Sequence, residues 1–303
     1  MRNLALALSL ILWLAGIPAG AAELKPETVA AFDRYVSLTE AQMEERAHGD
    51  RFLTFDRFPK LQRLQIYDQL QQGQIYIEEL HTQEDQHPIR VPGGMIHHWA
   101  GVIFISKASL AEVLAVLNDY DNEPEIYKPE IRRAKLIEQN GNVSKVYQQL
   151  YTKSIVTVVL NGYFNVTEIP LGSTRSASAT RSTRIVEVAN AGGPDEHEIP
   201  EDDGHGYMWR MNSYWRIEEK DGGVYVQNES ISLTRSVPVL LAWLINPLTQ
   251  SIPRDVLTHM LTDTQKAVLK TKETPKQEAL PRGSRDRSSA IHIRENLSYA
   301  FRP

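Results

Sequence analysis

Glu229 is the carboxylate best placed to do chemistry in this chain, because it sits inside a run of strand character beside Gln227, with Arg210, Arg216 and Arg235 nearby in the same hairpin. On a solvated face it pairs with one of those arginines. In a cavity wall, an ionised carboxylate is expensive unless it is protonated, paired with a cation or met by a ligand's polar group. With a Tyr or His from the same wall it could serve as acid and base in a cyclase- or hydrolase-type reaction. His97 and His98 offer imidazoles, but adjacent strand residues point to opposite faces and cannot share one ion without a bulge. The acids Asp195, Glu196, Glu198, Glu201, Asp202 and Asp203 lack the regular oxygen spacing of a calcium loop and suit a soluble surface loop. There is no Gly-x-Ser-x-Gly elbow, and Gly192-Gly193-Pro194 leads into acids, the wrong charge for a phosphate cradle. With no cysteine, thiol nucleophiles, disulfides and a cysteine-anchored lipid are excluded. The sequence therefore offers no convergent catalytic set, and no metal and no cofactor is expected.

The elements that must position Glu229 lie in 206–270. Trp209, Met211, Trp215 and Ile217 alternate with Arg210, Asn212 and Arg216, the period-two pattern of a half-buried strand. After Lys220-Asp221-Gly222-Gly223 a second strand runs from Val224 toward Arg235, followed by an apolar stretch around Trp243 and helical spacing up to Lys270. Two registers are open. A two-residue Asp221-Gly222 turn sets Trp215 across from Asn228, whereas a three-residue Lys220-Asp221-Gly222 loop sets Trp215 across from Gln227. Segregation of apolar residues favours the second, which gathers Trp209, Met211, Trp215 and Ile217 with Tyr225, Ile231 and Leu233 on one face and buries Gln227 and Glu229 in a cavity wall.

Before the hairpin, the spacing of Phe32, Tyr35, Val36 and Met43 predicts a helix from Pro26 to about Ala47, and Leu61, Leu64 and Leu70 mark a second one ending at Gly73. A strand containing Val102, Ile103, Phe104 and Ile105 follows, with Gly101 signalling a bulge or close packing. Ser109 with Glu112 is a capping box, and a helical turn from Tyr120 to Tyr127 ends at Pro129. Further strands begin near Ile131, Val143, Ile155 and Thr180, with 190–205 as a loop. In the strand after Ile155, Val158, Leu160, Phe164 and Val166 form a dry face and Asn161, Tyr163 and Asn165 a wet one.

The net charge of -5 and pI near 6.0 provide no basic excess, so nucleic acid is not an expected partner. Arg2, an apolar run from Leu4 to Ile17, and Ala19 and Ala21 form the layout of a secretory signal peptide, shorter than the roughly 20 residues that span a bilayer. Residues 1–21 are read as a signal peptide, 22–91 as an N-terminal helical extension with a short strand, 92–270 as the main domain and 271–303 as a mostly disordered tail. A secreted chain without disulfides suits a bacterial periplasm, where the sequons at Asn142, Asn165, Asn228 and Asn296 carry no meaning. Protein partners are not readable.

The final hairpin and helix entry, with Ser213-Tyr214-Trp215-Arg216-Ile217, Asp221-Gly222-Gly223-Val224-Tyr225-Val226, Trp243-Leu244-Ile245-Asn246 and Pro253, resemble those of the START-like (SRPBCC) superfamily, over 92–270. That resemblance implies an α+β helix-grip fold: a curved antiparallel sheet wrapped around a long C-terminal helix. It also implies an apolar or lipid-like ligand held between sheet and helix, with enzymes a minority of members. The expected function is non-catalytic binding of an apolar or amphipathic small molecule, the alternative an enzyme using a cavity carboxylate. The candidate ligand-binding residues are Trp209, Met211, Trp215, Tyr225, Gln227, Glu229 and Trp243. The apolar segment around Trp243 could also touch a membrane without spanning it.

Overall fold

The computed structural model describes residues 23–47, 49, 51–153, 156–236 and 239–273, with the side chains of 239–250 outside the description. The expected signal peptide at 1–21 and the tail beyond residue 273 lie outside the described residues. Two helices open the chain: α1 (Pro26–Ala47) and α2 (Lys60–Gln71). Strand β1 (Tyr76–Glu79) is followed by the two short strands β2 (Gln83–Glu84) and β3 (His87–Pro88), which pair only with each other. The long strand β4 (Gly94–Ser106) leads into α3 (Leu110–Leu117) and α4 (Glu123–Ile126). Then come β5 (Ile131–Asn140), β6 (Val143–Lys153), β7 (Thr157–Pro170), β8 (Arg175–Ala189), the short β9 (His197–Glu198), β10 (Arg210–Lys220) and β11 (Gly223–Arg235). The helix α5 (Val239–Glu273) closes the described chain.

One antiparallel sheet has the order β1-β4-β11-β10-β8-β7-β6-β5, with β9 added beside β8. The first long strand thus pairs with the last, and α3 and α4 carry the chain from β4 to the opposite edge at β5. Ser109 caps α3 by accepting from the Glu112 amide, while Glu112 accepts from Ser109 in return, so the capping box forms as its spacing predicts. Helix α5 lies on one face of the sheet, where Leu257, Leu261 and Val268 pack with Ile103, Ile105, Ile217 and Val226. Gly101 permits this approach: a Cβ there would meet Leu261 at 2.6 Å and Leu257 at 3.2 Å, so it marks close packing rather than a bulge. This is the helix-grip arrangement, with an N-terminal helical extension on the other face.

That outer face is as dry as the inner one. Phe32, Tyr35, Val36 and Met43 of α1 pack on Tyr214, Ile231 and Leu233, while Phe52, Leu53, Phe55, Ile66 and Leu70 cover Val102, Phe104 and Tyr225. The apolar marks expected for α2 divide: Leu70 is buried, but Leu61 and Leu64 are 73% and 52% exposed because the packed stripe runs through Ile66 and Leu70, one turn apart. The acidic loop is also more ordered than expected. Its Glu198 pairs with Val188 through β9 and accepts from Asn161 at 2.9 Å, and Glu196 bonds Arg133 at 2.6 Å.

Candidate functional site

The hairpin register decides which side chains can meet a ligand. Asp221 and Gly222 both have left-handed backbones, φ +56° and +76°, as a two-residue type I′ turn requires, and Lys220 pairs with Gly223 across it. Trp215 therefore stands across from Asn228, not from Gln227, which corrects the register expected from apolar segregation. The correction has a physical cause. Segregation assumes that one face of the hairpin is buried and the other wet, but here α5 covers one face and α1 and α2 the other, so large apolar residues occupy both.

Between the inner face and α5 lies a cavity of about 210 Å³. Met211 and Trp215 line it, joined by Met208 rather than Trp209, which packs against the α1 cluster on the outer side. Tyr225, Gln227 and Glu229 do not line it, and Trp243 falls in 239–250, whose side chains lie outside the described residues. Val158, Leu160, Phe164 and Val166, the dry face of β7, form one wall, and Ile252, Val256, Leu257 and Met260 of α5 form the roof.

The floor is polar. Thr180 of β8, Ser213 of β10, Ser230 of β11 and Trp99 of β4 are consecutive cross-strand partners, so three hydroxyls and an indole form a row across four strands. Ser178, Trp215 and Asn228 make the next row, and Asn228 donates from Nδ2 to Ser213 Oγ at 2.7 Å. The indole Nε1 of Trp99 is buried and has no hydrogen-bond partner among the described residues. An unpaired buried donor of this kind costs about 1–3 kcal/mol.

Charge in the cavity is one-sided. Glu123, Glu130 and Glu168 line it, and no Lys or Arg does among the described residues. Glu123, buried in α4, accepts from Gln148 Nε2 at 2.6 Å, and burial pushes its carboxyl up to about 7. Burial also pulls His97 down to about 4, so it stands neutral beside Thr234, with Nε2 at 3.1 Å from the hydroxyl. Tyr120 is pushed up to about 12 by the same cause and stays a neutral phenol. Glu130 meets His259 of α5 at 2.6 Å.

Glu229 belongs to a different structure on the outer face. It is 1% exposed, and His98 Nε2 lies 2.9 Å from its Oε1. Tyr35 accepts from the Thr82 amide at 2.8 Å and its hydroxyl oxygen lies 2.9 Å from His98 Nδ1, so the imidazole is held with Nε2 toward Glu229. Gln227 accepts from the Thr54 amide at 2.7 Å. Arg216 donates to the carbonyls of Phe52 at 3.0 Å and Met43 at 3.2 Å. Burial alone would push the Glu229 carboxyl up, but the His98 hydrogen bond and charge, with Arg216, hold it below its ordinary value. Burial pulls Arg216 down to about 10. These residues fasten the N-terminal extension to the sheet.

His97 and His98 face opposite sides of β4, and among the described residues no cluster of three or more His, Asp or Glu could hold a metal. Sequence reasoning missed Glu123, Trp99 and the hydroxyl row. The alternation Ser176-x-Ser178-x-Thr180 and Asn228-x-Ser230-x-Ser232 marks that row once the Asp-Gly turn fixes the register.

No family model and no curated protein matches this chain. Among solved structures it is similar to the STAR-related lipid transfer protein from Xanthomonas axonopodis, at 16% identity over 65% of this chain and 99% of that one, with a TM-score of 0.39. It is similar to human STARD10 at 11% identity, covering 72% and 82% of the two chains with a TM-score of 0.41. The Zhui aromatase/cyclase from a Streptomyces species matches at 12% identity over 59% and 94%, with a TM-score of 0.39. Likenesses at these TM-scores carry no argument about ligand or activity, and the helix-grip architecture rests on this chain's own strand order and helix packing.

Proposed function

We propose that this protein binds an apolar or amphipathic small molecule, lipid-like in character, in the cavity between the sheet and α5, without chemical conversion. The observation that supports this most is the two-sided lining: an apolar roof and wall from α5 and β7 above a floor of hydroxyls and an orphan indole donor. A molecule with an apolar body and a polar edge matches both surfaces at once. The signal-like segment 1–21 supports export of the chain, with a bacterial periplasm as the compartment.

Solvent extraction of the purified chain followed by mass spectrometry tests the reading. A co-purifying amphiphile, or saturable uptake of an uncharged fluorescent lipid, is the expected result. A chain that is consistently empty and takes up no such lipid contradicts it.

One observation keeps an enzyme in view. Glu123 is a cavity carboxylate whose protons exchange near neutral pH, as a general acid or base requires. Its side-chain partner among the described residues is the amide of Gln148, which relays no proton, so binding is the better-supported reading. Glu229, the carboxylate first suspected, faces away from the cavity.

A further inference from the structure

Three carboxylates line the cavity, no Lys or Arg among the described residues does, and the imidazole that does is neutral. The side chains of 239–250 lie outside the description, and that stretch contains no Lys or Arg in its sequence. A negatively charged head brought inside would lose its hydration, meet no compensating charge and approach Glu123, Glu130 or Glu168. The polar groups that do line the floor are neutral: Ser213, Ser230, Thr180 and Asn228, and the Glu123 carboxyl on the cavity wall can accept a hydrogen bond.

Building on the binding function proposed above, we infer that the cavity selects against anions: its ligand buries a polar group without negative charge, which donates to Glu123. The ligand class is an uncharged or cationic amphiphile with a hydroxyl or amine, not a carboxylate-headed fatty acid. Glu123 sets this preference because it is the most deeply buried of the three carboxylates.

Displacement of N-phenyl-1-naphthylamine, an uncharged fluorescent probe, from the purified chain tests the inference with three ligands of equal chain length: dodecanol, dodecylamine and dodecanoate, at about pH 8 where the acid is ionised. Dodecanol is expected to displace the probe at a concentration at least about tenfold below that of dodecanoate, with dodecylamine on the side of the alcohol. In Glu123→Gln, dodecanoate should gain affinity and narrow that gap. Equal displacement by acid and alcohol in the wild type would overturn the charge selection while leaving the binding function standing. If neither the probe nor any of the three binds, the binding function itself fails. A gap that persists undiminished in a folded Glu123→Gln chain would overturn the assignment to Glu123.

Discussion

Trp215 stands directly across the hairpin from Asn228, so Glu229, the next residue, points through the sheet to the opposite face and meets His98 at 2.9 Å. This single pairing separates two structures that share the strand β11: a cavity under α5, and a polar clasp under α1 and the segment around Phe52 and Thr54.

The clasp predicts that Glu229→Gln and His98→Phe each destabilise the fold strongly. Removing one partner of this fully buried hydrogen-bonded pair leaves the other unsatisfied, at about 1–3 kcal/mol or more. Urea unfolding of the two single variants and the double variant measures this, and a double variant less destabilised than the sum of the singles is expected for groups in direct contact.

The same network sets an acid limit. Because the Glu229 carboxyl is held below its ordinary value in the fold, it contributes stability that is present above the unfolded value and lost as pH falls through the folded one. Thermal midpoints recorded at falling pH should therefore drop more steeply for the wild type than for Glu229→Gln.

Glu123 acts with the opposite sign. Burial raises its carboxyl from an ordinary 4.5 to about 7, so the fold holds this proton more tightly than the unfolded chain. Its contribution is fully present below the unfolded value and declines as pH rises to about 7, by on the order of 3 kcal/mol. Glu123→Gln should flatten stability between pH 5 and 8, and an unchanged slope in that variant would contradict the assignment.

Gly101→Ala is predicted to be destabilising. In Gly101→Ala the new Cβ would press on Leu261 at 2.6 Å, forcing α5 away from β4, at about 1–3 kcal/mol for overpacking. Denaturant midpoints measure this.

Much of this architecture is written in local patterns. The period of Phe32, Tyr35 and Val36 marks α1, Ser109 with Glu112 marks the start of α3, and the alternation of Val158, Leu160 and Phe164 marks the dry face of β7. These features depend on neighbours a few residues away. The faces of the final hairpin do not, because Tyr225, Ile231 and Leu233 are buried by α1 and α2, which lie some 150 residues earlier in the chain. Asp221-Gly222 was the better guide: a type I′ turn fixes register by backbone geometry, whatever covers each face. Glu123 escaped notice because its role comes from burial by β6 and α5, which no spacing within its own short helix announces.

The account's central claim is that ligand enters the face of Trp215 and Ser230 and not that of Glu229, and binding of N-phenyl-1-naphthylamine to two variants tests it most directly. Ser230→Phe, which places a ring on the cavity floor, is predicted to abolish saturable probe binding while the chain remains folded by circular dichroism. Glu229→Gln, assayed below its lowered melting temperature, is predicted to retain it. Retained binding in Ser230→Phe together with lost binding in a folded Glu229→Gln would contradict the account.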